Sequence, residues 1–201
     1  MMNSVEPRSD ARLNRERIIA AARALFSERG LDVEMREIAE RAGLAVGTIY
    51  RNYPSKEDLT LALLEEVATL NAAHVREIEA LAGGDARDQL RLLLIRSLQA
   101  LGEYGWLVEA LWGGRLPPQW RSRLQTESNT DCLRRIIEEG IAQQVFDPDI
   151  DIETAVGVIV APLIFPVRPP RTNWSAEEAA DAVMRLFLHG AASPRNRGRA
   201  R

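Results

Sequence analysis

Cysteine, histidine and lysine are nearly absent from this chain of 201 residues, which has one cysteine, Cys132, two histidines, His74 and His189, and one lysine, Lys56. A single thiol rules out an intrachain disulfide and any cysteine-rich zinc site, and two histidines 115 positions apart argue against a metal centre. No cofactor is expected. Aromatic residues make up only 5%. No apolar run is long enough to span a bilayer: the longest, residues 155–167, is interrupted by Pro162 and Pro166. The first seventeen residues mix acids with arginines and lack the apolar centre of a secretion signal, so a cytoplasmic protein without a membrane partner is expected. Strand signals are missing as well, and no Ser, His and acid set, zinc signature or phosphate-binding loop appears. The sequence therefore predicts an all-α protein that is not an enzyme.

An apolar share of 46% beside a charged share of 27% describes a chain that buries a core. Net charge is −3, but residues 1–56 carry ten basic and eight acidic side chains, whereas residues 57–201 carry 16 and 21. An anionic partner is better received at the front.

Apolar residues recur at helical spacing. Asn14 is placed to cap a first helix with Ile18, Ile19, Ala22, Leu25 and Phe26 on one face and Gly30 at its end. Short helices are predicted over 35–42 and 46–52, separated by Gly43 and closed by Pro54. Ser55 and Asp58 have capping-box spacing for a fourth helix with the stripe Leu59, Leu63, Val67, Leu70, His74, Ile78 and Leu81. Leu90, Leu93, Leu94, Leu98 and Leu101 mark a fifth, followed by a separate glycine-punctuated aromatic piece over 104–114. Pro117 and Pro118 suit the start of a helix running to about Gln143; Asp151 caps a helix apolar almost all round, and Ser175 with Glu178 caps the last, with Ala179, Ala182, Val183, Leu186 and Phe187 facing inward.

The segment 35–54 has what two steeply crossing helices need. Ala39 is small at the crossing, Gly43 tolerates positive φ in the turn, and Ile38, Leu44 and Ile49 form an apolar wedge. This leaves Ala45, Val46, Thr48, Arg51 and Asn52 facing outward, where a major groove would be read. The three blocks "IIAAARALFSERG", "REIAERAGL" and "GTIYRNYPSKEDL", in that order over roughly residues 14–60, resemble the tetracycline-repressor (TetR) family of bacterial transcriptional regulators.

That resemblance implies an N-terminal three-helix module with a helix-turn-helix, followed by a helical half that binds a small molecule and dimerises. It divides the chain into a disordered arm (1–12), a DNA-binding domain (13–60, helix-turn-helix 35–54), a ligand-binding and dimerisation domain (61–192) and a basic disordered tail (193–201). It implies that Tyr50 and Lys56 hold the DNA backbone and that Val46, Gly47 and Thr48 approach bases, with Arg36 at the edge of the same surface. A lysine in a first helical turn opposes the helix dipole unless a phosphate joins it there. Glu34 departs from the family, standing where a threonine or serine usually caps the second helix and touches phosphate. Tyr53 replaces the usual phenylalanine.

The implied partners are a palindromic double-stranded DNA operator, a small, largely apolar or aromatic effector that releases the repressor, and a second copy of the chain. Trp106, Trp112 and Trp120, with the polar set Ser128, Asn129 and Cys132, are candidate effector contacts, although large aromatics fill helical cores equally well. His74 fits either a core histidine or a ligand contact. The apolar helix after Asp151 and the small residues of the last helix make Val156, Val160, Ile164, Ala179, Val183 and Phe187 the expected dimer interface. The competing reading is a helical small-molecule-binding or interaction protein without operator binding, for which Glu34 speaks.

Overall fold

The computed structural model describes residues 7–81, 83–120, 129–164 and 174–189, and these form α-helices joined by turns. In chain order they are α1 (Pro7–Arg29), α2 (Met35–Ala42), α3 (Val46–Asn52), α4 (Lys56–Glu79), α5 (Ala86–Trp112), a single 3-10 turn (Pro118–Trp120), α6 (Asn129–Ala142), α7 (Ile152–Ile164) and α8 (Ala176–His189). The expected all-α architecture is present, with a helix-turn-helix near the N-terminus and longer helices after it.

Caps foreseen from the sequence are formed. The Ser55 N–H donates to the Asp58 carboxylate at 3.0 Å, and the Asp58 N–H to the Ser55 hydroxyl at 3.0 Å. Asp151 accepts the Thr154 N–H at 2.7 Å, and Ser175 and Glu178 cap α8 reciprocally.

Several expectations are corrected. Helix α1 starts at Pro7, not after Asn14, so residues 7–12 of the expected arm are helical. Proline fits a first helical turn, and Arg12 donates to Glu16 one turn on at 2.7 Å. The aromatic piece is not separate: α5 runs unbroken through Gly102 and Gly105 to Trp112. Each glycine costs about 1 kcal/mol in a helix. That is outweighed by Tyr104, Trp106, Leu107, Ala110 and Leu111, which bury along one face at about 1.5–3 kcal/mol for each large side chain. Pro118 opens a 3-10 turn, Pro118–Trp120, and helix is described again from Asn129. Leu81 is exposed beyond the end of α4, and in α8 the deepest side chains are Ala180 and Met184 while Leu186 faces solvent. The tail 193–201 lies outside the described residues.

Two compact units divide the chain, 1–70 with 102–126 and 71–101 with 127–201, so α4 and α5 each contribute to both. This differs from the expected boundary at residue 60, because the end of α5 packs on α1. The Phe26 and Trp106 rings meet edge to face with centroids 4.9 Å apart, and Arg23 donates to the Tyr104 hydroxyl at 3.0 Å. Ile18, Phe26, Ile38, Ile49, Leu63 and Leu107 centre the first unit's core. Ile78, Leu90, Leu133, Ile137, Phe146 and Ile159 centre the second, where the Phe146 ring lies flush against Gly140 and leaves no space for a Cβ.

Candidate nucleic-acid interface

Helix α2 buries Met35, Ile38, Ala39 and Ala42, the positions its spacing requires. Gly43 ends it with φ 65° and ψ 39°. Its N–H donates to the Glu40 carbonyl and that of Leu44 to the Ala39 carbonyl, both at 3.0 Å, a left-handed stop that turns the chain sharply into α3. From α1, Arg17 donates to the Gly43 carbonyl at 3.3 Å. At the other end of α2, the Glu34 backbone N–H donates to the Glu37 carboxylate at 2.7 Å, so Glu37 supplies a cap where Glu34 offers no hydroxyl. The Arg29 guanidinium grips Glu37 at 2.8 and 3.2 Å and holds its carboxyl below the usual range.

Helix α3 buries one side chain, Ile49. Ala45, Val46, Gly47, Tyr50 and Arg51 are exposed, and Thr48 and Asn52 half-buried. Arg51 donates to the Thr48 hydroxyl at 3.1 Å and the Asn52 amide to the Thr48 carbonyl at 2.8 Å, so the polar groups of this face are held in fixed directions. Arg36 is exposed on α2, 4.0 Å from Glu40. The structure therefore gathers the outward residues named from sequence around one short helix. Tyr53, at its end, is half-buried, and burial pushes its phenol upward against the charge of Arg15.

Lys56 is placed differently from what its position implied. Its ammonium donates to the Leu31 carbonyl and lies 6.0 Å from the Phe26 ring centre. The same corner is held from the other side by Arg115, bidentate to Asp32 at 2.5 and 3.2 Å. That guanidinium keeps the Asp32 carboxyl below its ordinary range. Sequence reading missed Arg17, Arg29, Asp32 and Arg115 as supports of the reading head. Arg29 and Glu37, eight apart across the α1–α2 corner, carry a weak local signal; Asp32 and Arg115, 83 positions apart, carry none.

The candidate effector residues are divided between the units. Trp106 belongs to the first, 7% exposed, with an indole N–H that has no hydrogen-bond partner among the described residues. It helps line a cleft of about 460 Å³ with Phe26, Leu31, Asp32, Glu109 and Arg115. Trp120 is partly buried against the same core but does not line that cleft. Asn129, Cys132 and His74 belong to the second unit. Cys132 is buried, which raises its thiol, and the Asn129 side-chain oxygen is buried without a partner among the described residues. Burial lowers the His74 imidazole below its ordinary value, and the Arg96 guanidinium adds to this against Glu77. Ser128 lies outside the described residues, as do the side chains of Trp112 and Ile164.

The dimer expectation needs one correction. Val156 is 5% exposed and part of the second unit's own core, so it is not available to a partner. Val160, Ala179, Val183 and Phe187 are half-buried, and Phe187 packs edge to face on Phe146 at 5.3 Å. Among the described side chains of α7 and α8, the exposed large apolar ones are Val158, 64%, and Leu186, 58%.

Comparison with known proteins places this geometry in a wider set. Residues 18–63 match the family described as "Bacterial regulatory proteins, tetR family". The chain is 29% identical over 191 residues to the HTH-type transcriptional repressor KstR2 of Rhodococcus jostii (strain RHA1), covering 90% of this chain and 93% of that one. It is 38% identical over 102 residues to the HTH-type transcriptional repressor KstR of Mycolicibacterium smegmatis (strain ATCC 700084 / mc(2)155), about half of each chain. Among solved structures, the probable transcriptional regulatory protein RHA5900 superposes with a TM-score of 0.69 at 27% identity, over 90% of this chain and 100% of that one.

Proposed function

We propose that this chain, whose residues 18–63 match the tetR family of bacterial regulatory proteins, is a DNA-binding repressor of transcription released from a palindromic operator by a small, largely apolar or aromatic effector. The observation that carries the DNA-binding half of this reading is α3. A seven-residue helix that buries only Ile49 and presents Val46, Gly47, Tyr50 and Arg51 to solvent has no packing use for that face, whereas a major groove accepts it. Arg36, Ala45, Thr48 and Asn52 extend the same surface. Lys56 has two N–H groups beyond the one given to Leu31, and these are available to a phosphate.

Repression is supported by the two relatives, each named a transcriptional repressor. A palindromic site requires two copies, and the solvent-facing Val158 and Leu186 supply apolar surface for a two-fold contact. For effector binding, Trp106 with its unpartnered N–H offers an aromatic wall and a donor, and α4, continuous from Lys56 to Glu79, can carry a displacement from one end to the other. An effector acts only through its different affinities for two states, so its coupling with DNA is reciprocal, about 1–3 kcal/mol in typical cases.

The test is fluorescence anisotropy with a duplex from the region upstream of the protein's own coding sequence, at two salt concentrations, for wild type and Thr48→Ala. Wild type should prefer this duplex over a scrambled one, and the variant should alter that preference. Failure of wild type to bind either duplex would leave the reading of a helical small-molecule-binding protein without operator binding.

A further inference from the structure

Resting on the DNA-binding reading of α3, we propose that Arg15 on α1 is a phosphate contact of the reading head, seating the sugar-phosphate backbone that flanks the groove. The buried stripe of α1 begins at Ile18 and continues through Ala21, Ala22, Leu25 and Phe26. One turn before Ile18 the same stripe reaches Arg15, and two turns before, Ala11; both are exposed, so α1 overhangs its own core with a cation at the edge.

That edge adjoins the recognition segment. Arg17, two residues on, donates to the Gly43 carbonyl in the turn that precedes α3. The charge of Arg15 is felt at the Tyr53 phenol immediately after α3, as are the weaker opposing charges of Glu66 and Glu65.

Arg15 also differs from its neighbours in commitment. Arg17, Arg23, Arg29, Arg41, Arg51 and Lys56 each donate to a group of the protein itself. Arg12 and Arg36 face Glu16 and Glu40 one turn on. Arg15 alone of the cations described up to Lys56 has no hydrogen bond or ion pair to any described residue. A guanidinium near the end of the recognition helix that is paired with no described acid is complementary to a polyanion, and its fork matches phosphate oxygens.

A phosphate contact releases a counterion whatever the base sequence, so it is read from salt dependence. Binding of full-length protein to the upstream duplex and to a scrambled duplex is measured over a salt series for wild type, Arg15→Gln and Arg15→Lys, with circular dichroism to confirm equal helicity. The expected result is a slope of log K against log salt reduced by about 0.9 per bound protomer, about 1.8 for a dimer, in Arg15→Gln on both duplexes, an unchanged preference between them, and a restored slope in Arg15→Lys. A wild-type slope in Arg15→Gln overturns the inference while leaving the function of α3 intact, and so does equal loss in Arg15→Lys, which would mark a packing role. Absence of salt-dependent binding by wild type overturns it together with the reading on which it rests.

Discussion

The Lys56 ammonium donates to the carbonyl of Leu31, 25 positions earlier, and so ties the start of α4 to the corner between α1 and α2. A hydrogen bond from a charged donor is worth about 1.5–3 kcal/mol when buried, and this half-buried one belongs at the low end. Lys56→Met should therefore lower the unfolding free energy by about 1–2 kcal/mol, besides any effect on DNA. Urea titration checks this; an unchanged midpoint and slope would show that Lys56 serves DNA alone.

Gly43 has φ 65°, and a Cβ there would sit 2.8 Å from the Arg17 guanidinium. Gly43→Ala should cost about 1–2 kcal/mol for the left-handed backbone and also displace Arg17 from the Gly43 carbonyl. Gly43→Asn should cost less, since asparagine tolerates this conformation. Denaturant midpoints of the two variants, in the order Asn above Ala, are the expected measurement. The reverse order would mean that the close approach of Arg17, and not the backbone, decides the site.

His74 makes stability depend on pH in one direction. Burial depresses its folded pKa below the unfolded value of about 6.5, so as pH falls the unfolded chain takes up the proton first. Stability from this group is complete above about pH 6.5 and declines below it until the folded-state pKa is passed. Thermal melts between pH 7.5 and 5.5 should show a decline that is smaller in His74→Gln. Equal declines in the two proteins would assign the effect to carboxylates.

Assembly is tested at Val158 and Leu186, which face solvent in one chain. Val158→Asp and Leu186→Asp should give folded monomers with weakened operator binding, read by sedimentation and circular dichroism. Val156→Asp should instead unfold the second unit, because a carboxylate there is buried without a partner at a cost on the order of several kcal/mol. A folded Val156→Asp monomer would restore Val156 to the interface and refute the burial.

Much of the reading head was legible in the sequence, because its signals are local. The bounds of α2 and α3 follow from apolar spacing over eight and seven residues and from Gly43 and Pro54 between and after them. Caps at Ser55, Asp151 and Ser175 involve partners three residues away, within reach of a motif. The outward residues of α3 could be named by subtraction once Ile49 was assigned inward.

What remained illegible depends on partners distant in sequence. The glycines of α5 read as breaks, since their local cost is visible, while the burial of Tyr104, Trp106 and Leu107 against α1 is not. Beside Lys56 the sequence offers only Glu57 and Asp58 as local partners; the Leu31 carbonyl, 25 positions earlier, takes its ammonium only after the chain has folded back. Val156 turned out buried in its own unit because a helix apolar on most sides does not announce which side meets its own core, and Leu186 on α8 turned out exposed. Local propensity and spacing thus determined the helices and the outward face of α3 proposed to read DNA. Only packing between segments decided which cations are spent on the protein itself and which, like Arg15, stay unpaired among the described residues.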